Sequence, residues 1–338
     1  MKAVAVKGVK EFEIKEIAEP ISDGDKVIVD VLKSGICGSD IHYWVAGNPV
    51  GLVMGHEFCG KVVDPGSRDD LKIGDRVTAL PISPCDQCDA CKTSNIQYCL
   101  KTWDQALGLS VDNPGGLTSK IAIRPDMVIK VPDTITDLEV AMVEPTAVGL
   151  HAVKLADIKV GDRVLVVGGG IIGLVSAMFA KLEGASYVAL SEANPLRGEK
   201  SVELGVADEW FDVTKDDTTA KLASKNFDVV IECCGNSAAV NSSLMVVKPG
   251  GTVVLVGVSL EPINMASAIA VTHELTLKGA IAYTYDEFKN CIDLINDKKV
   301  DVMRFVSDVV SLEQVQESYE RLTSGKDDAI KILVDPNK

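Results

Sequence analysis

Four thiols fall within fifteen residues in CDQCDACKTSNIQYC, residues 85–99, at the spacing C-x2-C-x2-C-x7-C. Thiolates so placed on one short lobe suit a tetrahedral Zn(II) ion held by Cys85, Cys88, Cys91 and Cys99. The intervening DQ, DA and KTSNIQY are polar and would not form a core strand, which weighs against simple buried thiols. An iron–sulfur cluster is the rival metal site. If zinc is bound, all four positions are filled by protein, so the site is closed to water and substrate and its role is structural. Chemistry then needs an open site. The candidates are ICGSDIH, with Cys37, Ser39 and His42, and GHEFCG, with His56 and Glu57. Taken singly, Cys37 reads equally well as a buried thiol and His56 as a satisfied loop histidine.

A second chemistry is written in glycine. Gly168, Gly170 and Gly173 form G-x-G-x-x-G, with Ile171 and Ile172 inside it, after the apolar run VLVV and before a helical stretch. The first glycine permits a tight turn, the second lets a pyrophosphate approach the backbone, and the third lets helix and strand pack closely. The helix N-terminus supplies N–H donors for the phosphates. Glu192 closes the next apolar run, 19 residues after Gly173 (192 − 173), where an acid would accept hydrogen bonds from an adenosine ribose. A carboxylate there repels a 2′-phosphate, so NAD is expected rather than NADP; Arg197 stands close enough to work against that preference.

These residues need two kinds of scaffold. Up to about residue 150 the chain is rich in Gly, Pro and short β-branched runs such as KVIVDVLKSG, CGKVVDP and GDRVTAL, the pattern of an irregular all-β unit of barrel type. The opening MKAVAVKGVKEFEIKEI alternates like an exposed strand, and helical spacing begins at Leu138. From about Lys159, strands alternate with helices: DRVLVV, then LVSAMFAKLEGA closed by Gly184, YVALSEA, KSVELGVAD, FDVVIECCG, AAVNSSLMVVKPGG and TVVLVGV. Such alternation implies right-handed βαβ units and a parallel sheet. After Tyr283, an amphipathic stretch and the closing strand IKILVDP are expected to return to the first domain.

Composition narrows the function classes. In 338 residues, 49 Asp and Glu against 34 Lys and Arg give a net charge of −15, which repels phosphate backbones and anionic lipid surfaces. No nucleic acid or membrane partner is expected. The apolar runs stop short of the roughly 20 residues of a spanning helix, and no signal peptide pattern opens the chain. A cytoplasmic protein is expected, in which nine cysteines stay reduced and metal binding outweighs disulfides. Cys59, Cys233, Cys234 and Cys291 read as packing residues, and His151 and His273 as structural.

Together GICGSDIH, GHEFCGKVV, the four-cysteine lobe and VLVVGGGIIG stand in the order seen in zinc-containing medium-chain alcohol dehydrogenases, which the chain resembles over nearly its whole length. The resemblance implies an α/β Rossmann cofactor domain plus a GroES-like β-barrel catalytic domain, with a cleft between them. The expected division is 1–151, catalytic with the zinc lobe 85–99; 152–284, dinucleotide-binding; and 285–338, returning to the catalytic domain. It implies two zinc ions per chain. Cys37 and His56 match the first two catalytic zinc ligands. The third is a cysteine in alcohol dehydrogenases proper; here the matching position, in MVEPTAVG, is Glu144, as in the sorbitol and polyol dehydrogenase branch. Glu57 matches a carboxylate that can approach the metal, so either acid is a candidate ligand. Ser39 and His42 match a proton relay through the nicotinamide ribose.

Zinc with three protein ligands keeps one position open and acidifies a bound alcohol, preparing hydride release to the nicotinamide. The expected substrate is a secondary alcohol carbon of a polyol, sugar alcohol or vicinal diol, interconverted with its ketone. Two departures bear on it: the segment between Cys37 and His56 is shorter than in sorbitol dehydrogenases, and GAIAYTY resembles their GxFRY stretch with Ala282 in place of arginine. Tyr43 and Trp44 read either as pocket lining or as a buried pair. An L-threonine-type amino acid dehydrogenase shares much of the pattern, and some superfamily members are non-enzymatic. The resemblance also implies a homodimer or homotetramer.

Overall fold

The computed structural model describes residues 1–259 and 261–338. The chain forms two compact units, one of residues 1–145, 283–324 and 331–338, the other of 146–282 with 325–330. The divisions fall at 145/146 and 282/283, and the short stretch 325–330 packs with the second unit.

The first unit opens with a hairpin of β1 (Lys2–Gly8) and β2 (Glu11–Glu16), turning at Lys10 with φ 55°. The exposed strand expected here is a buried one. Ala3, Val4, Ala5 and Val6 are all buried, because Val4 N–H bonds to Leu117 and Val6 N–H to Leu52 and other chain covers both faces. The main sheet contains β3 (Val27–Gly35), β4 (Glu57–Asp64), β5 (Arg76–Ala79), β6 (Lys120–Ile123) and β7 (Val128–Lys130). Its core includes Val27, Val29, Val31, Phe58, Val77 and Ile121, the inward alternation the β-branched runs encode.

Helical spacing from Leu138 resolves into two helices, Asp137–Ala141 and Val143–Ala156. Pro145 has no N–H to bond the Ala141 carbonyl, so one helix stops and another starts with proline in its first turn, where it is tolerated. This places Glu144 at a helix N-terminus.

The second unit is a six-stranded sheet of β8 (Arg163–Val167), β9 (Tyr187–Glu192), β10 (Glu209–Asp212), β11 (Phe227–Glu232), β12 (Val247–Leu255) and β13 (Thr276–Gly279). Every pairing is parallel, and the order is β10-β9-β8-β11-β12-β13. The order reverses between β8 and β11, leaving the crevice beyond their carboxyl ends open to a ligand. The helix expected over AAVNSSLMVVKPGG ends at Val246, and β12 takes up the rest, since Pro249 and the glycines after it cannot continue a helix. Two closing strands, β14 (Val306–Val310) and β15 (Lys331–Val334), return to the first unit. The order there is β14-β15-β3-β4-β5-β7, with β6 on β3.

Candidate active site

Strand register assembles the first cluster. In the β3–β4 pair, Gly35 lies opposite Glu57. Cys37 follows Gly35 by two residues, as N-cap of the helix Gly38–Ala46, and His56 immediately precedes Glu57. One thiol, one imidazole and one carboxylate are thereby brought together, with ligand atoms of Cys37, His56 and Glu57 all within 4.8 Å of one another.

The surroundings fix these groups. Asp40 Oδ2 accepts the Cys37 N–H at 3.2 Å, and Asp40 Oδ1 lies 3.4 Å from His56 Nδ1, leaving the opposite ring nitrogen for a cation. Ser39 Oγ donates to Cys37 Sγ at 3.2 Å. Ser39 and His42 stand three residues apart on the helix and so share a face. The fully buried Lys331 donates to Glu57 Oε2 and, at 2.8 Å, to the Ile36 carbonyl. Gly35 makes room for that pair, since a Cβ there would collide with Glu57 Oε2.

The cluster fits a divalent cation. Burial opposes protonation of His56, yet the Asp40 carboxylate and Cys37 sulfur outweigh it and hold the imidazole pKa well above its ordinary value, so the site favours positive charge. Glu57 Oε1 is buried with no hydrogen-bond partner. A cysteine, a histidine and a carboxylate are a zinc donor set.

Glu144 is not among the three converging groups. Its Oε1 accepts a hydrogen bond from Tyr283 at 2.9 Å, and burial pushes its carboxyl up to about 7 although His56 pulls the other way. Tyr283 follows directly on Ala282, whose φ of 50° makes the turn that sends the tyrosine inward.

A second cluster lies in the lobe. The sulfurs of Cys85, Cys88, Cys91 and Cys99 are within 4.8 Å of one another, with Cys88–Cys91 at 3.5 Å and Cys85–Cys91 at 4.0 Å. A tetrahedron with Zn–S of about 2.3 Å has sulfurs about 3.8 Å apart, so the arrangement fits. Backbone N–H groups of Gln87 and Cys88 pull the Cys85 thiol down to about 6, while burial and the neighbouring Cys88 push Cys91 up to about 12, so the first thiolate of the lobe forms at Cys85.

In the second unit Gly168 directly follows β8 with φ 105°, and a Cβ at Gly173 would collide with the Gly168 carbonyl. Gly170 is N-cap of the helix Ile171–Leu182, so the N–H groups of Ile171, Ile172 and Gly173 face its open end. Glu192 ends β9. Its Oε2 accepts the Gly169 N–H at 2.6 Å, and Oε1 accepts those of Ala193 and Asn194 at 2.8 Å each. Three of four lone-pair sites are thus occupied, and the acid braces the glycine turn while keeping one for a ligand. Arg197 donates from Nε to the Ala329 carbonyl at 3.1 Å. A pocket of about 700 Å³ opens here, lined by residues including Gly168, Glu192, Val213, Cys234, Asn236 and Met245.

Cys234 is an exposed residue of this pocket and not a packing residue: the strand has ended at Glu232, so the inward alternation no longer applies. Cys59 and Cys291 are buried as expected, and none of the nine cysteines forms a disulfide. Trp44 belongs to the core, with its ring centroid 6.3 Å from Phe12 and 5.6 Å from Tyr319. Sequence reading missed Asp40, Tyr283 and Lys331. Asp40 left a trace as a polar residue three after a helix N-cap, a capping signal. Lys331, flanked by Ile330 and Ile332, was visible only as a charge interrupting an apolar strand.

Comparison with known proteins agrees. Residues 23–133 match the family described as alcohol dehydrogenase GroES-like domain, and residues 172–297 match zinc-binding dehydrogenase. Sorbitol dehydrogenase of Bacillus subtilis is 30% identical, aligned over 100% of this chain and 98% of its own. A probable D-xylulose reductase A of Aspergillus clavatus is 33% identical over 96% and 93%. Among solved structures, a zinc-binding dehydrogenase of Sinorhizobium meliloti bound to NADP superposes with TM-score 0.88 at 30% identity, covering 99% of each chain. The chain belongs to the zinc-containing medium-chain alcohol dehydrogenase family. Within it, the protein is an oxidoreductase of the sorbitol and polyol dehydrogenase-like branch, with the GroES-like and Rossmann folds of that family, zinc and a nicotinamide cofactor, and small-molecule alcohol substrates. Among the described residues no helix is long and apolar enough to cross a membrane.

Proposed function

We propose that the protein is an NAD-dependent enzyme with two zinc ions, interconverting a secondary alcohol of a polyol, sugar alcohol or vicinal diol with its ketone. The convergence of Cys37, His56 and Glu57 carries this reading. Those three would hold the catalytic zinc, with Glu144, held back by Tyr283, as the alternative carboxylate. Cys85, Cys88, Cys91 and Cys99 would hold the structural ion. When bound, zinc acidifies an alcohol hydroxyl and the nicotinamide accepts the hydride. The chain's own groups do the rest. Ser39 takes the hydroxyl proton and His42 passes it to solvent, their shared helix face setting the path. The N–H groups of the Gly168–Gly173 turn bind the pyrophosphate, and Glu192 receives the adenosine ribose with its remaining lone pair.

NAD is the proposed cofactor because the Glu192 carboxylate at the end of β9 would repel a 2′-phosphate and Arg197 is engaged with Ala329. Among the described residues strand β13 is bonded on one side only, to β12, which suits edge-to-edge pairing in a homodimer or a homotetramer built from it. Cysteines outside any disulfide suit the cytoplasm.

The test is a panel of polyols, diols and L-threonine, offered with NAD and with NADP and read by absorbance of the reduced cofactor, beside metal analysis. Turnover of polyols or diols with NAD and two zinc per chain are expected. Undiminished turnover in Cys37→Ala overturns the mechanism, preference for NADP overturns the role of Glu192, and preference for L-threonine overturns the substrate class.

A further inference from the structure

Behind Cys37 and His56 lies a knot of buried polar groups centred on Asp40. Its carboxylate is fully buried, and its Oδ2 accepts the Cys37 N–H. The other oxygen, Oδ1, faces His56 Nδ1 at 3.4 Å, longer than a well-formed N–H···O bond. Two further donors in the same region are buried without a hydrogen-bond partner, the Tyr319 hydroxyl and Trp44 Nε1. Orphaned buried donors are uncommon, because each costs the desolvation of its group. Asp40 Oδ1 is itself buried without a hydrogen-bond partner.

Tyr319 comes from far away in sequence, on the helix Val315–Thr323. Its ring is locked against Phe12, edge to face at 4.8 Å, and against Trp44 at 5.6 Å, and the residue is fully buried. Two neighbouring rings fix where its hydroxyl points. Burial, followed by the charges of Asp40, Cys37 and Glu57, pushes the phenol pKa far up, so the group remains a donor, and Asp40 is the acceptor it faces.

We propose that Tyr319 is a positioning residue for the metal centre: its hydroxyl donates to Asp40 and presses that carboxylate onto His56 Nδ1–H, so that the ring offers Nε2 to a cation shared with Cys37. Tyr319, Asp40 and His56 thus form one chain of hydrogen bonds. It ties the C-terminal helix to a ligand near the N-terminus, 263 residues apart in sequence (319 − 56). Without the hydroxyl, the carboxylate is free to turn and the imidazole loses its fixed orientation. The inference rests on the catalytic zinc proposed above.

The experiment measures zinc release from the loaded full-length protein into a chromogenic chelator. The Cys37→Ser protein, loaded only at the four-cysteine lobe, supplies the baseline for the second ion. Tyr319→Phe keeps the ring and its packing. It should release the labile zinc about 10-fold faster, the lower end of what losing such an outer partner costs a metal site. In an Asp40→Asn background the same change should add nothing, since Tyr319 acts through Asp40. A purely packing role gives the same effect in both backgrounds, or a lower unfolding temperature with unchanged release. Release within twofold of the parent, or equal acceleration in both backgrounds, overturns the proposal. Should Tyr319→Phe fail to fold, 3-fluorotyrosine at position 319 keeps the shape and strengthens the donor. Slower release then supports the chain, and unchanged release rejects it. A parent protein without a labile zinc would overturn the zinc reading itself, and this inference with it.

Discussion

Lys331→Met tests whether the Lys331–Glu57 pair is a true buried ion pair. Lys331 and Glu57 are each fully buried, and the ammonium also bonds the Ile36 carbonyl. Methionine fills nearly the same volume, so little of the loss comes from a cavity. What remains is a carboxylate in a dry site without its cation, and breaking such a pair by removing one partner costs about 3–5 kcal/mol. The double variant Lys331→Met with Glu57→Gln removes both charges and should recover most of that loss, because neutral replacements of a buried pair are often tolerated. The assay is denaturant unfolding of chelator-treated protein, followed by tryptophan fluorescence in a Trp210→Phe background. Of the three tryptophans, that leaves Trp44 and Trp103, both in the first unit. Restoring zinc should shrink the loss in the single variant, as a dication takes over from the ammonium. A loss below about 1 kcal/mol, or a double variant no more stable than the single one, would refute the reasoning.

Other outcomes follow from the same geometry. Cys88→Ser should lower zinc by one ion per chain and open the lobe around residues 85–99 to proteolysis, while the Cys37 site still loads; metal analysis and limited digestion read both. Gly173→Ala drives a methyl group into the Gly168 carbonyl and should weaken cofactor binding about 10-fold or more, roughly 1.4 kcal/mol, in a fluorescence titration. Asp228 gives a pH dependence. Burial works to raise its pKa, but Lys248 and the Arg163 N–H, the latter 2.7 Å away, lower it below the ordinary aspartate value. The stability it supplies is therefore present above about pH 4 and lost as pH falls through the depressed value. Asp228→Asn should cost roughly 2 kcal/mol at pH 7, with the gap to the parent closing below pH 4 in unfolding followed through Trp210.

Where the chemistry depends on local spacing, the sequence was readable. C-x2-C-x2-C-x7-C needs no distant partner to gather its thiols, since a short lobe of polar residues can do little else with them. The glycine turn with Glu192 was equally legible, because strand, turn, helix and strand follow one another along the chain and each glycine answers a local steric demand. Even so, the sequence placed Glu192 on a ribose without showing that it also braces the turn through Gly169. The helix from Leu138 was right in its period and silent on its break, which came from one missing N–H at Pro145.

The cluster of Cys37, His56 and Glu57 was set by long-range pairing. Register opposes Gly35 and Glu57 across two strands, and this makes Cys37 and His56 neighbours; no period in the sequence encodes it. The same pairing brings Glu57 into the cluster and leaves Glu144 on Tyr283, a distinction between two acids that resemblance alone had left open. Lys331, Tyr283 and Tyr319 reach the site only because the chain returns to its first unit near the end. Which donors the protein carries, and how its short motifs fold, follow from local stretches of the chain. The tertiary structure decided which of them meet and which charges they must face, because burial and pairing are properties of the packed chain and are absent from any stretch of it alone.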